Sequence, residues 1–141
     1  MNNTLRNSLA FLAAVILGMI VNGSLITISA QAIPPPAGVD VTQAESLAAN
    51  IHRFEPKHFL MPFLAHALGT LAGAIAVTLL AASQQKKLAL GIGALFLIGG
   101  VMAAFMIPAP VWFIGLDLLA AYLPMALLGF VLAKRLKPSV R

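Results

Sequence analysis

Residues 58–80 read HFLMPFLAHALGTLAGAIAVTLL, a stretch without a single Asp, Glu, Lys or Arg. About twenty apolar residues in a helix cross the ~30 Å hydrocarbon layer of a bilayer. Because lipid offers no hydrogen-bond partners, a backbone at that depth must bond internally, as an α-helix does. The stretch therefore predicts a membrane-spanning helix, and the rest of the chain is interpreted around it.

Three further apolar runs accompany this helix. They cover residues 8–30, 88–107 and 112–133, and the central span is taken as 58–82. Of the 141 residues, 60% are hydrophobic and only 9% are charged, too few charges to cover a water-soluble domain of this size. The sequence predicts an all-α membrane protein, a four-transmembrane-helix bundle that forms a single domain.

The first run has a second interpretation, a secretory signal peptide. Arg6 precedes the run, and Ala30-Gln31-Ala32 resembles a cleavage site. The run reaches about twenty residues, whereas the apolar core of a signal peptide has ~7–15. This length favours a retained span, and cleavage would leave three spans.

The polar segment 31–57 connects the first two spans. Pro34-Pro35-Pro36 ends the first helix, and Thr42-x-x-Glu45 has the spacing of a helix-capping box. Apolar residues then recur at helical spacing, which predicts a short amphipathic helix at about 43–54. That helix would lie on the bilayer surface or cap the bundle.

Basic residues are distributed unevenly between the two sides of a four-span protein. One side would carry Arg53 and Lys57, and the other side would carry the remaining seven, Arg6, Lys86, Lys87, Lys134, Arg135, Lys137 and Arg141. By the positive-inside rule both termini are cytoplasmic and the 31–57 loop is external. These residues lie at helix ends without interleaved aromatic side chains, so the excess of positive charge does not indicate nucleic-acid binding.

Small residues repeat on the predicted helices at intervals that allow close packing. In lipid, such faces let two helices approach, and close packing takes over the role of the hydrophobic effect. The predicted packing residues are Ala14, Gly18, Gly69, Gly73 and Gly129. A face of this kind left unused within the bundle would favour a homo-oligomer.

Three polar residues on three different helices fall in the outer half of the predicted bilayer. At the standard helical rise, His66 lies about 12 Å and Asp117 about 8 Å below the outer surface, and Asn22, ~14 residues from the cytoplasmic start of its helix, is also in the outer half. A carboxylate at membrane depth is costly, and a histidine partner offsets part of that cost. We therefore expect Asp117 to face the interior and to meet His66, either as a structural pair or as a site.

Residues near this pair complete the set of candidate ligands. His58 lies at the outer surface and Thr70 is one turn below His66, which makes Asn22, His58, His66, Thr70 and Asp117 the candidates for binding an ion or polar ligand. His58, His66 and Asp117 also have the chemistry of zinc or iron ligands, although the histidines are two turns apart. The chain has no cysteine and no phosphate-binding, serine-hydrolase or zinc-protease motif, so no cofactor is assigned.

Several segments together resemble a group of known sequences. They are PPPAGVD (34–40), ESL (45–47), FEPKHFLMPFLAHALGT (54–70) and DLLAAYLPMALLG (117–129). Together these resemble uncharacterised bacterial four-span integral membrane proteins, which have no assigned activity. The resemblance implies a fold and a location in the bacterial inner membrane.

Three classes of function fit these residues. The leading expectation is the binding or passage of a small ion or polar solute through an outer-facing polar pocket between the first, second and fourth helices. A membrane enzyme would instead use His66 and Asp117 for acid–base or metal chemistry. A scaffold subunit would use the same polar groups only to hold helices together. Apart from the lipid bilayer, a small ion or polar solute is the expected partner.

Overall fold

A computed structural model describes residues 2–136, in which helices are the only regular secondary structure and no β-strand occurs. The α-helices are α1 (Asn3–Ala32), α2 (Ala44–Asn50), α3 (Leu60–Leu80), α4 (Gln85–Met106), α5 (Val111–Ala120) and α6 (Leu123–Leu136). Short 3₁₀ helices at Ile51–Arg53 and Pro56–Phe59 join α2 to α3.

Four of these helical segments are long and apolar enough to cross a membrane. They are Asn3–Ala32, Pro56–Leu80, Gln85–Met106 and Val111–Leu136, the last being α5 and α6 together. The first begins five residues before the predicted run, and the others agree with their runs to within a few residues. The existence of four long apolar helices is therefore confirmed.

Large apolar side chains lie on the outside of the molecule, and small residues lie inside. Phe105 is 88% exposed, Val111 86% and Leu119 79%, whereas Ala14 and Ala65 are fully buried. A water-soluble protein of this size would place its large apolar side chains in the core. An exterior of this composition is what a surface that faces lipid requires.

Helix α3 is the centre of the structure and packs against α1, α4, α5 and α6. A Cβ atom added to Gly73 would lie 3.1 Å from the Ala14 carbonyl oxygen, and one added to Gly18 would lie 2.8 Å from the Gly69 carbonyl oxygen. On the opposite side of α3, a Cβ on Gly129 would lie 2.8 Å from the Ala74 methyl group. The five predicted packing residues thus lie at the α1–α3 and α3–α6 contacts.

Two prolines have different effects on their helices. Within the predicted span 58–82, Pro62 would lie inside the helix and leave the His58 carbonyl without a partner. Because α3 begins at Leu60, Pro62 instead lies in the first turn, where the backbone N–H groups have no intrahelical acceptor. Pro124 follows the break at residues 121–122 that separates α5 from α6.

We call the end of the structure with the α3–α4 connection the turn end. There, Asn7 of α1 accepts hydrogen bonds through Oδ1 from the N–H groups of Ala82, at 2.9 Å, and Ser83, at 3.2 Å. Its Nδ2 donates to Ser83 Oγ at 3.0 Å, and Arg6 Nε donates to the Leu80 carbonyl oxygen. Polar side chains of α1 therefore satisfy backbone groups where α3 ends.

The opposite end, which we call the loop end, carries residues 33–59. The expected capping box at Thr42 and Glu45 is wrong, because α2 begins at Ala44 and its preceding residue makes no side-chain cap. Thr42 instead donates to the Asp40 carboxylate through N–H at 2.9 Å and through Oγ1 at 2.6 Å. These two hydrogen bonds hold a turn ahead of α2 and keep the pKa of the Asp40 carboxyl below its usual value.

Charged side chains collect at the two ends of the structure. Arg53 and Lys57 are at the loop end. Five basic residues lie on helices that begin or finish near the turn end: Arg6, Lys86, Lys87, Lys134 and Arg135. Lys137 and Arg141, which also entered the prediction of orientation, lie outside the described residues.

Candidate functional site

His66 and Asp117 form a close polar contact between α3 and α5. His66 Nδ1 lies 2.8 Å from Asp117 Oδ1 and 3.0 Å from Oδ2. The Asp117 residue is only 4% exposed, whereas 22% of the His66 side chain is exposed. The carboxylate therefore faces the interior, and the imidazole forms the accessible part of the pair.

Tyr122 supplies a second donor to the same carboxylate. Its hydroxyl donates to Asp117 Oδ2 at 2.8 Å, and its ring stacks on the His66 ring with the centroids 5.8 Å apart. Gly100 of α4 makes room for it, since a Cβ there would lie 2.6 Å from the Tyr122 Cζ atom. Asp117, His66 and Tyr122 are named below the polar triad.

The geometry of the triad gives the two ring nitrogens of His66 different roles. The Tyr122 hydroxyl donates to the Asp117 carboxylate, and His66 faces the same carboxylate with Nδ1, the nitrogen that donates when Asp117 is ionised. In the neutral imidazole this leaves Nε2 as an acceptor. Every side-chain hydrogen bond of His66 within residues 2–136 is made through Nδ1, so Nε2 is free for a ligand.

Thr70 contributes to the backbone rather than to a cavity. Its hydroxyl donates to the His66 carbonyl oxygen at 2.8 Å, and the residue is fully buried. Two cavities reach His66, and Thr70 lines neither of them. The structure thus uses this predicted ligand candidate as a local support for the turn of α3 that carries His66.

A cavity of about 290 Å³ lies at the loop end above the triad, and we call it the loop cavity. His66 and Asp117 are at its inner end. Residues of α2 and of the segment after it contribute to its lining: Leu47, Ile51 and Phe54. The segment between the first two spans therefore supplies part of the wall of this cavity.

A second cavity, of about 580 Å³, lies between α1 and α4, and we call it the lateral groove. Asn22, His66 and Tyr122 are its polar lining residues. His66, Gly100 and Ala103 line both cavities, so the imidazole belongs to the wall they share. The loop cavity is lined by residues of the first, second and fourth spans, between which one pocket was expected, and α4 contributes to both cavities.

His58 has a role in the loop. Its Nδ1 accepts from the Glu55 N–H at 2.9 Å, and its Nε2 lies 3.1 Å from the Pro34 carbonyl oxygen, to which it can donate. Both ring nitrogens thus tie the residues after α1 to the start of α3. Beside it, the Lys57 ammonium, 2.9 Å from Glu55 Oε2, holds the pKa of the Glu55 carboxyl below its usual value.

The predicted metal set is not brought together. Although His58, His66 and Asp117 all contribute to the lining of the loop cavity, no group of three His, Cys, Asp or Glu side chains that could hold a metal ion occurs among residues 2–136. The His58 ring nitrogens are engaged with backbone groups, and His66 Nδ1 faces the carboxylate itself. These contacts leave the polar triad, rather than a metal centre, as the candidate site.

Comparison of the chain with protein-family models, with curated proteins and with solved structures finds no match. What the site can do must therefore be argued from its own geometry.

Two features of the site were not predicted as parts of it. Neither Tyr122 nor any residue of the third predicted span was among the candidate ligand residues. The structure places Tyr122 on the Asp117 carboxylate and Gly100 of α4 against Tyr122. The position of Pro124 two residues after Tyr122 was the available signal, because a helix break there changes which side chains share a face.

Proposed function

We propose that this is a membrane protein that binds or passes a small polar solute or ion at His66, reached through the loop cavity. In this proposal the four apolar helices span the bacterial inner membrane, with both termini cytoplasmic and the loop end outside. The apolar exterior of the bundle supports the proposal that the helices span a membrane. The excess of Lys and Arg near the turn end supports the orientation.

The observation that carries the proposal is the free Nε2 atom of His66 in the wall of a cavity. Asp117 and Tyr122 fix the ring, so Nε2 is presented in one direction without a competing partner from residues 2–136. A cavity of about 290 Å³ is close to the lower limit of the ~300–1,000 Å³ usual for small-molecule sites. A small solute with a hydrogen-bond donor, or a small cation beside the Asp117 carboxylate, fits this chemistry.

Nuclear magnetic resonance of the histidine rings tests the proposal. The protein, labelled with ¹⁵N-histidine and placed in lipid nanodiscs, is titrated with methylammonium chloride, with sodium chloride as the second probe. We expect a saturable shift of the His66 Nε2 resonance, which Asp117→Asn weakens. Exposed His52 supplies the internal reference. The absence of a His66 shift with both probes would contradict the proposal.

Passage, as distinct from binding, is measured in liposomes. If the solute passes, methylammonium flux should exceed that of protein-free liposomes and should fall in Asp117→Asn. Binding without flux would restrict the proposal to a binding protein.

A membrane enzyme is the second candidate, favoured by one observation. A carboxylate that orients an imidazole through Nδ1 leaves Nε2 positioned as a general base. Such a base activates water, so the test is hydrolysis of p-nitrophenyl butyrate by the purified protein, with His66→Gln as the control variant. Equal rates for the two proteins would remove this candidate. If no probe binds or reacts and His66→Gln only lowers the melting temperature, the scaffold alternative holds.

A further inference from the structure

The lateral groove gives His66 a second opening, directed away from both ends of the bundle. Met19 and Gly23 of α1 and Leu95 and Gly99 of α4 line the groove and are themselves exposed. These residues lie on the part of the exterior that is covered with large apolar side chains. In a bilayer, a cleft in this position opens to the acyl chains rather than to water.

An aromatic ring closes one part of the groove, and exposed glycines border another. Towards the turn end, the Phe96 ring fills the space between α1 and α4, and a Cβ on Gly18 would lie 2.7 Å from that ring. A Cβ on Gly23 or on Gly99 would meet no atom within 4 Å. The exposed glycines of the two helices therefore leave the opening of the groove unobstructed.

The lining of the groove is mostly apolar, with three polar residues. Asn22, His66 and Tyr122 are the polar residues of the lining, and the remainder is aliphatic, aromatic or glycine. A fully polar solute would gain nothing from such walls, whereas an apolar chain would bury its surface there. The lining therefore matches a molecule with one apolar chain and one polar end.

The charge of the triad selects the polar end. Among the residues that contact one another at this site, Asp117 is the one acidic residue, and His66 in its neutral form offers an acceptor at Nε2. An ammonium group supplies both a positive charge and N–H donors, so it complements the pair. A carboxylate or sulfate head would bring two negative groups together in a medium that screens them poorly.

We propose that the lateral groove admits a single-chain membrane amphiphile with a primary ammonium head. Its chain lies between α1 and α4, and its head donates a hydrogen bond to His66 Nε2. This inference rests on the proposed function, since it uses the same imidazole, and it adds the class of ligand and the direction of access from within the bilayer.

The experiment compares two probes that share a head and differ in chain length. Protein labelled with ¹⁵N-histidine, in phosphatidylcholine nanodiscs, is titrated with dodecylammonium chloride and with butylammonium chloride. We expect both to shift the His66 Nε2 resonance, because the short chain can enter through the loop cavity. Sodium dodecyl sulfate, with the same chain length and an anionic head, should leave that resonance unchanged.

Gly99→Leu is the decisive variant because it adds a side chain at the rim of the groove and alters no residue of the triad. It should weaken dodecylammonium binding about tenfold or more, equivalent to ~1.4 kcal/mol, and leave butylammonium binding unchanged. Gly115→Leu makes the same change on α5, at a glycine that also has no atom within 4 Å of its added Cβ and lines neither cavity. That control should bind both probes like the parent protein.

The outcomes separate this inference from the proposed function. A His66 shift with butylammonium but none with dodecylammonium, or equal dodecylammonium binding by Gly99→Leu and the parent, would overturn the inference alone. A cross-linked dimer that Gly99→Leu abolishes would also overturn it, because a second copy would then occupy the groove. If neither probe shifts His66 in the parent protein, the inference fails together with the proposed function.

Discussion

Gly69 of α3 and Gly18 of α1 are in backbone contact. A Cβ on Gly69 would lie 2.8 Å from the Gly18 carbonyl oxygen and 3.0 Å from the Asn22 Cβ atom. Neither of these atoms belongs to the far end of a flexible side chain, so the contact cannot be relieved by a rotamer change. The separation between α1 and α3, and with it one wall of the lateral groove, depends on the missing side chain.

Gly69→Ala should therefore destabilise the protein by about 1–3 kcal/mol, the usual cost of overpacking. The measurement is unfolding in mixed micelles with increasing denaturing detergent. Gly23→Ala is the matched control on α1, since its Cβ meets no atom within 4 Å, and it should change stability little. Equal effects of the two substitutions would contradict the close contact.

Asn7→Ala should destabilise the connection between α3 and α4. The substitution removes the acceptor of the Ala82 and Ser83 N–H groups, and loss of comparable helix caps costs about 0.5–2 kcal/mol. Hydrogen exchange of those two amides should become faster, while amides in the middle of α3 remain protected. Thr4→Ala, at an exposed position of the same helix, serves as the control. Unchanged protection of Ala82 and Ser83 would contradict the assignment.

Removal of the central acceptor of the triad should cost more than removal of either donor. Asp117→Ala leaves the His66 N–H and the Tyr122 hydroxyl without their partner, at about 1–3 kcal/mol for each unsatisfied group. Tyr122→Phe removes a single hydrogen bond and should cost about 1 kcal/mol. Thermal unfolding of the two variants in the same detergent gives the comparison. A smaller loss in Asp117→Ala than in Tyr122→Phe would argue against a shared carboxylate.

The contact between His66 and Asp117 was predictable from depth and chemistry alone. Each residue falls within an apolar run at a similar distance from the same predicted surface, and a buried carboxylate requires a donor. The participation of Tyr122 was not predictable in this way. In an unbroken α-helix, residues five apart point about 140° away from each other. The break at residues 121–122 removes that constraint, and its geometry depends on packing against α4.

The two cavities illustrate a second limit of the sequence. Periodicity identifies the small-residue face of α4 but does not say whether a neighbour fills it. Gly93 packs against Ala126, and Gly100 packs against Tyr122, whereas Gly99 faces open space. Which of these glycines meets a neighbour depends on how the other helices pack against α4, which is a tertiary property. The same holds for His58, whose partners, Glu55 and the distant Pro34 carbonyl, depend on the path of the loop.

The turn ahead of α2 should respond to pH in the acidic range. Hydrogen bonds from the Thr42 side chain and backbone lower the pKa of Asp40 in the folded protein. Because the folded pKa is lowered, the stabilisation of the turn by these hydrogen bonds is fully present above the usual carboxyl pKa. It is lost as the pH falls through the folded pKa. The Thr42 amide proton should therefore shift upfield with a midpoint below the usual Asp value. Thr42→Val removes the hydroxyl donor and should raise the midpoint observed at the amide of residue 42. An unaltered midpoint would contradict the hydrogen bond from the Thr42 hydroxyl to Asp40.

Gly100→Ala should disturb the triad from outside it. The added methyl group would lie against Tyr122, 2.6 Å from Cζ, so the ring must move and the hydroxyl must leave Asp117. Because Asp117 then keeps His66 as its one remaining donor among these side chains, the Nδ1 resonance of His66 should shift and stability should fall by about 1–3 kcal/mol. Gly99 is the adjacent residue and has open space at its Cβ position. Gly99→Ala should therefore leave the His66 resonance and the stability unchanged. If Gly100→Ala alters stability but not the His66 resonance, Gly100 serves packing only, and the hydroxyl of Tyr122 does not determine the state of the imidazole.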